Sequence, residues 1–265
     1  MIRISACIEM LFAEYSFLER PAAAKAAGLE AIEFWGWANK DIDAVGEAVK
    51  AAGVEVAVCG VGTKDEKRSQ AIRDYGLLVK RNAPIYAENL QETIEAVRPL
   101  GVRTLITTAG RELEGVPREE QRDAIIEAFK AAAPIAEKEG FTVVLEPLNI
   151  LVNHQGYFLP SSHEAADILK AVNSPNIKML FDIYHQQITE GNIIANLTQY
   201  MPWIGHFHTA DNPGRHEFGT GEINYKSVFK AIDAAGYTGY VGLEYRPSPS
   251  VSSGRSLAGV FAAME

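Results

Sequence analysis

The chain has 265 residues, 47% of them hydrophobic and 22% charged. That supplies a sizeable core and suits a single α/β barrel domain covering residues 1–265. A net charge of −9 argues against a broad nucleic-acid or anionic-membrane surface.

No stretch approaches the roughly 20 apolar residues of a membrane span, so no membrane partner is expected. Met1-Ile-Arg-Ile runs straight into a strand-like segment without a leader and cleavage site, which reads as cytoplasmic. Cys7 and Cys59 lie in apolar runs and read as buried reduced thiols.

In chain order, strands are predicted at Ile2–Ile8, Ala31–Trp35, Val54–Cys59, Thr104–Thr108, Thr142–Glu146, Lys178–Asp182, Ile204–His208 and Tyr240–Tyr245. Amphipathic helices alternate with them at Phe17–Ala27, Asp41–Ala52, Ala87–Leu100, Glu119–Glu139, His163–Val172, Ile193–Gln199 and Tyr225–Ala235, with a last one from near Ser256. Gly28, Gly53, Gly101, Gly140 and Gly236 each close a helix and precede a strand. Eight strands each followed by a helix predict a (β/α)8 TIM barrel, with an open doubly wound sheet as the competing arrangement.

Three βα loops are long: 62–84, which has room for an extra helix over the barrel mouth, 150–162 and 212–224. In a barrel they gather at the C-terminal face, where active sites lie.

The later strands all end in polar chemistry. Val-Val-Leu-Glu146, Met-Leu-Phe-Asp182, His206-Phe-His208 and Val-Gly-Leu-Glu244 each follow apolar runs, so a barrel holds the four end residues at one height. Clustered carboxylates repel unless a cation lies between them. Three carboxylates with one imidazole favour Mn²⁺, Mg²⁺ or Co²⁺ over a structural Zn²⁺. His206 and His208 share one side of their strand; His208 is the expected ligand and His206 a residue of the barrel interior.

The segments Leu-Glu146-Pro-Leu-Asn149, Phe-Asp182-Ile-Tyr-His185-Gln-Gln-Ile, Pro-Gly-Arg215-His-Glu…Gly-Thr-Gly-Glu-Ile-Asn-Tyr and Gly-Leu-Glu244-Tyr-Arg-Pro resemble the hydroxypyruvate isomerase family. That family belongs to the xylose-isomerase-like barrels, with the D-tagatose and D-psicose 3-epimerases. The resemblance spans nearly the whole chain and implies an aldose–ketose isomerase or ketose epimerase working through an enediol. It implies that Glu146 and Glu244 carry protons, and that both ligate the metal with Asp182 and His208. His185 and Arg215 match positions that hold substrate oxygens, and a dimer or tetramer is the family expectation. One departure stands out: the isomerases carry Gln where this chain has His208, whereas the epimerases carry His.

Other readings stay open on the residues alone. Arg215 either grips a substrate carboxylate in bidentate fashion or pairs with Glu217 or Glu222. Trp35 and Trp37 either wall the mouth beside a sugar or pack at its rim. His154, in the polar loop 153–158, either touches substrate or is solvated. Glu33 either touches substrate or pairs with a neighbour. The expected partner is a small sugar or sugar acid.

Overall fold

Eight short parallel strands close into one barrel in sequence order, with β1 paired to both β2 and β8. They are β1 (Arg3–Cys7), β2 (Ala31–Phe34), β3 (Glu55–Gly60), β4 (Thr104–Thr108), β5 (Thr142–Glu146), β6 (Ile177–Asp182), β7 (Ile204–Thr209) and β8 (Tyr240–Leu243). This is a computed structural model that describes residues 2–265. The closed sheet removes the doubly wound alternative. The strands are short apolar runs because helices outside and packed side chains inside bury both faces.

The helices are α1 (Arg20–Ala26), α2 (Ile42–Ala52), α3 (Glu66–Tyr75), α4 (Asn82–Val97), α5 (Arg118–Glu139), α6 (Ser162–Val172), α7 (Ile183–Thr189), α8 (Ile193–Tyr200), α9 (Tyr225–Ala234), α10 (Ser253–Ser256) and α11 (Ala258–Met264). Asp41 caps α2 by accepting from the Ala44 amide, and Val45 and Val49 bury one stripe four residues apart. Gly53 and Gly140 end α2 and α5 in the left-handed conformation, at φ 65° and 69°. In α5 the alanines 124, 128, 132 and 136 form a buried small-residue stripe, beside which Phe129 meets Tyr86 of α4 edge-on at 5.7 Å.

One helix meets the sequence reading of a long loop and another departs from it. The extra helix expected in the first long loop is α3, and it carries Ile72 to the cavity described below. Helix α7 was not anticipated: the sequence reading ends the strand at Asp182 and assigns no element before Ile193. Asp182 stops β6 by turning its own side chain onto the next turn: Oδ1 accepts from the amides of Tyr184 (2.8 Å) and His185 (3.1 Å).

Cys7 and Cys59 are both free and buried, as expected, and burial raises both thiols, Cys59 to about 12. Among the described residues no helix is long and apolar enough to cross a membrane.

Candidate active site

The strand ends converge as their spacing predicts. Glu146 closes β5, Asp182 closes β6, His208 is the penultimate residue of β7, and Glu244 directly follows β8. All four are buried, and one ligand atom from each lies within 4.8 Å of every other. A divalent ion binding oxygen or nitrogen at about 2.0–2.6 Å holds its ligands no more than about 5 Å apart, so the set is the right size.

The atoms facing inward are unsatisfied. Glu146 Oε1 and His208 Nδ1 are buried without a hydrogen-bond partner. His208 Nδ1 stands 3.3 Å from Glu244 Oε2 and 3.6 Å from Glu146 Oε1, contacts too poorly made to count as hydrogen bonds. Asp182 spends Oδ1 on its helix cap, which leaves Oδ2 toward the cluster, 3.7 Å from Arg215 Nη2. Orphaned buried donors and acceptors are rare, and a cation among them is the simplest compensation. These residues fit a divalent metal.

Charge is distributed unevenly across the site. Burial raises the Glu146 carboxyl to about 7, helped by the Glu244 charge. Burial also pushes Glu244 upward, but the His208 and Arg215 charges outweigh it and hold that carboxyl far below the usual range. His208 moves up despite its burial, because Glu244, Glu146 and Glu33 surround it. Protons on Glu146 and His208 would therefore compete with a cation for this place. Metal affinity should rise with pH from 6 to 8, and binding should release protons. Calorimetry of Mn²⁺ binding in buffers of different ionisation enthalpy reads this directly, and proton-neutral binding would refute it.

Arg215 adopts a left-handed backbone (φ 57°) fixed by two backbone hydrogen bonds, its amide to the Asp211 carbonyl and the Arg246 amide to its own carbonyl. Its Nη2 pairs with Glu244 Oε2, and its Nε donates to the Glu244 carbonyl at 3.2 Å. The pairing with Glu217 or Glu222 is not made. Glu217 accepts from the Ser248 amide and Glu222 from the Asn212 amide side chain. The 212–224 loop is organised by buried Asp211, which accepts from the backbone amides of residues 212, 219, 221 and 223.

His185 is fully buried, and burial lowers it to about 4, so it is neutral. Its tautomer follows from Asn149, whose Oδ1 accepts from the amides of Val152 (3.0 Å) and Asn153 (3.2 Å). The Asn149 NH₂ must then donate to His185 Nδ1 at 2.6 Å, which leaves the proton on Nε2. That Nε2–H has no hydrogen-bond partner, lies 3.5 Å from Asp182 Oδ2, and is a ready donor to a substrate oxygen. His154 stacks edge-on to His185 at 5.2 Å, half-buried at the rim.

Trp35 and Trp37 separate. Trp35 is 46% exposed, and its indole N–H donates to Glu244 Oε1 at 2.7 Å. Trp37 leaves the mouth altogether: it is 2% exposed and bonds Thr93 Oγ1 at 3.0 Å. β2 ends at Phe34, so the alternation that would place both rings together no longer applies.

A cavity of about 430 Å³ opens at the C-terminal mouth beside Trp35, with Glu146, His154, His185, His208, Arg215 and Glu244 on its polar side. Residues the sequence reading left without a definite role complete the frame. Tyr157 donates to the Glu146 carbonyl and accepts from the Ala109 amide, tying the loop after β5 to the ends of β4 and β5. Glu33 accepts from both His206 and His208. A carboxylate inside the apolar Ala-Ile-Glu33-Phe run was the available signal for an interior partner.

Residues 21–258 match the family described as xylose isomerase-like TIM barrel. The hydroxypyruvate isomerase of Escherichia coli K12 is 31% identical, over 96% of this chain and 97% of its own. The 2-oxo-tetronate isomerase of Cupriavidus necator is 32% identical over 96% of each. A Brucella melitensis crystal structure described as AP endonuclease, family 2 superposes with a TM-score of 0.89 and 30% identity, covering 99% of this chain and 98% of that one.

Proposed function

The chain belongs to the xylose isomerase-like TIM barrel family, and from that premise we propose a divalent-metal-dependent isomerase of short hydroxy-oxo acids, hydroxypyruvate among them. Relatives named isomerases across nearly its full length make it an enzyme of isomerase or epimerase type. The observation that carries the finer reading is the convergence of Glu146, Asp182, His208 and Glu244 with two of their inward atoms unsatisfied. Mn²⁺, Mg²⁺ or Co²⁺ suits that donor set.

When bound, the ion would supply Lewis-acid polarisation of the substrate carbonyl, without which an adjacent C–H is too weakly acidic. The remaining work falls to side chains. Glu244, held ionised beside Arg215, removes the proton from the hydroxyl-bearing carbon. Glu146, which lines the open cavity and trades protons with solvent, returns one to the neighbouring carbon. The hydroxyl proton passes between the two oxygens, and the reverse reaction exchanges the two roles. His185 Nε2–H donates to a substrate oxygen. Arg215 takes the substrate carboxylate in bidentate fashion. Trp35 and His154 flank the substrate at the mouth.

Replacing Arg215 by Ala tests the acid preference. A charge-assisted hydrogen bond contributes about 1.5–3 kcal/mol, so kcat/KM for hydroxypyruvate should fall roughly 10- to 150-fold further than for a neutral ketose. Equal losses on both would leave Arg215 without its carboxylate role.

His208 favours a second reading, ketose 3-epimerisation, because the epimerases carry His at that position. The same glutamates on opposite faces of a 2,3-enediol would invert C3. A nuclease reading is disfavoured by the net charge of −9. Assays on hydroxypyruvate and on a panel of free ketoses separate isomerase from epimerase.

A further inference from the structure

Below the four strand-end residues lies a buried polar cluster. Glu33 on β2 meets His206 and His208 on β7. β2 and β7 are not neighbours in the sheet, so the contact crosses the barrel interior. His208 Nε2 lies 2.9 Å from Glu33 Oε2, and His206 Nε2 lies 3.0 Å from Oε1. The Ser5 hydroxyl also donates to Oε1. The three residues are each 2% exposed or less. β8 passes them as bare backbone: a Cβ on Gly242 would collide with Glu33 Oε1 and come within 2.8 Å of His208 Cδ2.

An ionised carboxylate can only accept, so the nitrogen facing it must carry a proton. Nε2 of a neutral His208 is then the N–H, and Nδ1 keeps its lone pair toward Glu146 and Glu244. We propose that Glu33 is a positioning residue: it fixes His208 as the Nε2–H tautomer and turns Nδ1 into a metal ligand, while His206 and Ser5 clamp the other carboxylate oxygen. The proposal rests on the metal reading above and adds a residue outside the ligand set to it.

Glu33→Gln keeps the shape and removes the charge. Its amide can accept from one histidine but presents NH₂ to the other, and even a correctly placed amide oxygen leaves the imidazole less basic. Loss of such an outer partner typically weakens metal binding by about 10- to 100-fold. The test measures Mn²⁺ Kd by calorimetry for wild type and Glu33→Gln, together with thermal unfolding of both. A folded variant with Kd weakened at least tenfold supports the proposal. A folded variant with Kd within twofold of wild type overturns it and leaves Glu33 a purely structural residue. Should the variant not fold, ¹⁵N-histidine NMR of Mg²⁺-loaded wild type decides. A proton on His208 Nε2 with Nδ1 bare supports the assignment, and the opposite tautomer overturns it. Wild type that binds no ion overturns the metal reading itself, an outcome distinct from an unaffected variant.

Discussion

Glu146→Gln and Glu244→Gln should each lower kcat by about two to four orders of magnitude, the usual contribution of a positioned acid or base. An amide can still offer oxygen to an ion but cannot exchange a proton with carbon, so metal affinity should fall far less than kcat. The two variants should differ in stability. Glu146 is buried and already tends to hold a proton, with no hydrogen-bond partner on Oε1, so an amide there costs the metal-free fold little. Glu244 accepts from Trp35 on one oxygen and pairs with Arg215 on the other. An amide at 244 must turn NH₂ toward one of those donors and leaves a largely buried arginine without its closest counter-charge. Thermal unfolding should therefore show a loss at 244 and little change at 146. Near-normal turnover in either variant would remove that residue from proton transfer.

Removing the metal should be as damaging as removing a glutamate. Exhaustive chelation is expected to abolish turnover, and Mn²⁺ or Mg²⁺ to restore it. The same ion should stabilise the fold, because it relieves repulsion among Glu146, Asp182 and Glu244. At 100 times Kd the gain is about 2.7 kcal/mol. For a chain of this size that corresponds to a rise in Tm of roughly 5–10 °C. Full activity in a sample shown to contain no metal would exclude the ion from the reaction.

The barrel and the four strand-end residues were legible in the sequence for one reason. Each of Glu146, Asp182, His208 and Glu244 ends an apolar run, and parallel strands of similar length deliver such ends to one rim. What lay beyond depended on contacts between distant segments. Helix α7 was hidden because Asp182 serves two purposes, with one oxygen capping the helix and the other facing the site. Arg215 was weighed against Glu217 and Glu222, its neighbours in sequence. Its backbone conformation instead sends the guanidinium across to Glu244, 29 residues away. Trp37 was paired with Trp35 as a candidate wall of the mouth, but its indole turns away to Thr93. Glu33 stood out as a carboxylate among apolar residues, yet its partners lie 173 and 175 residues further on. Local pattern reports where a side chain leaves the sheet. Barrel closure decides what it meets.

The most direct test of hydroxy-oxo-acid isomerisation at this site is NMR of hydroxypyruvate incubated with the Mg²⁺-loaded protein in deuterated water. Proton removal at C3 and return at C2 predicts the 2-hydroxy-3-oxo isomer carrying deuterium at C2, with back-exchange at C3 of the remaining substrate. Absence of exchange in hydroxypyruvate, alongside exchange at C3 of a free ketose, would contradict it and assign the site to epimerisation.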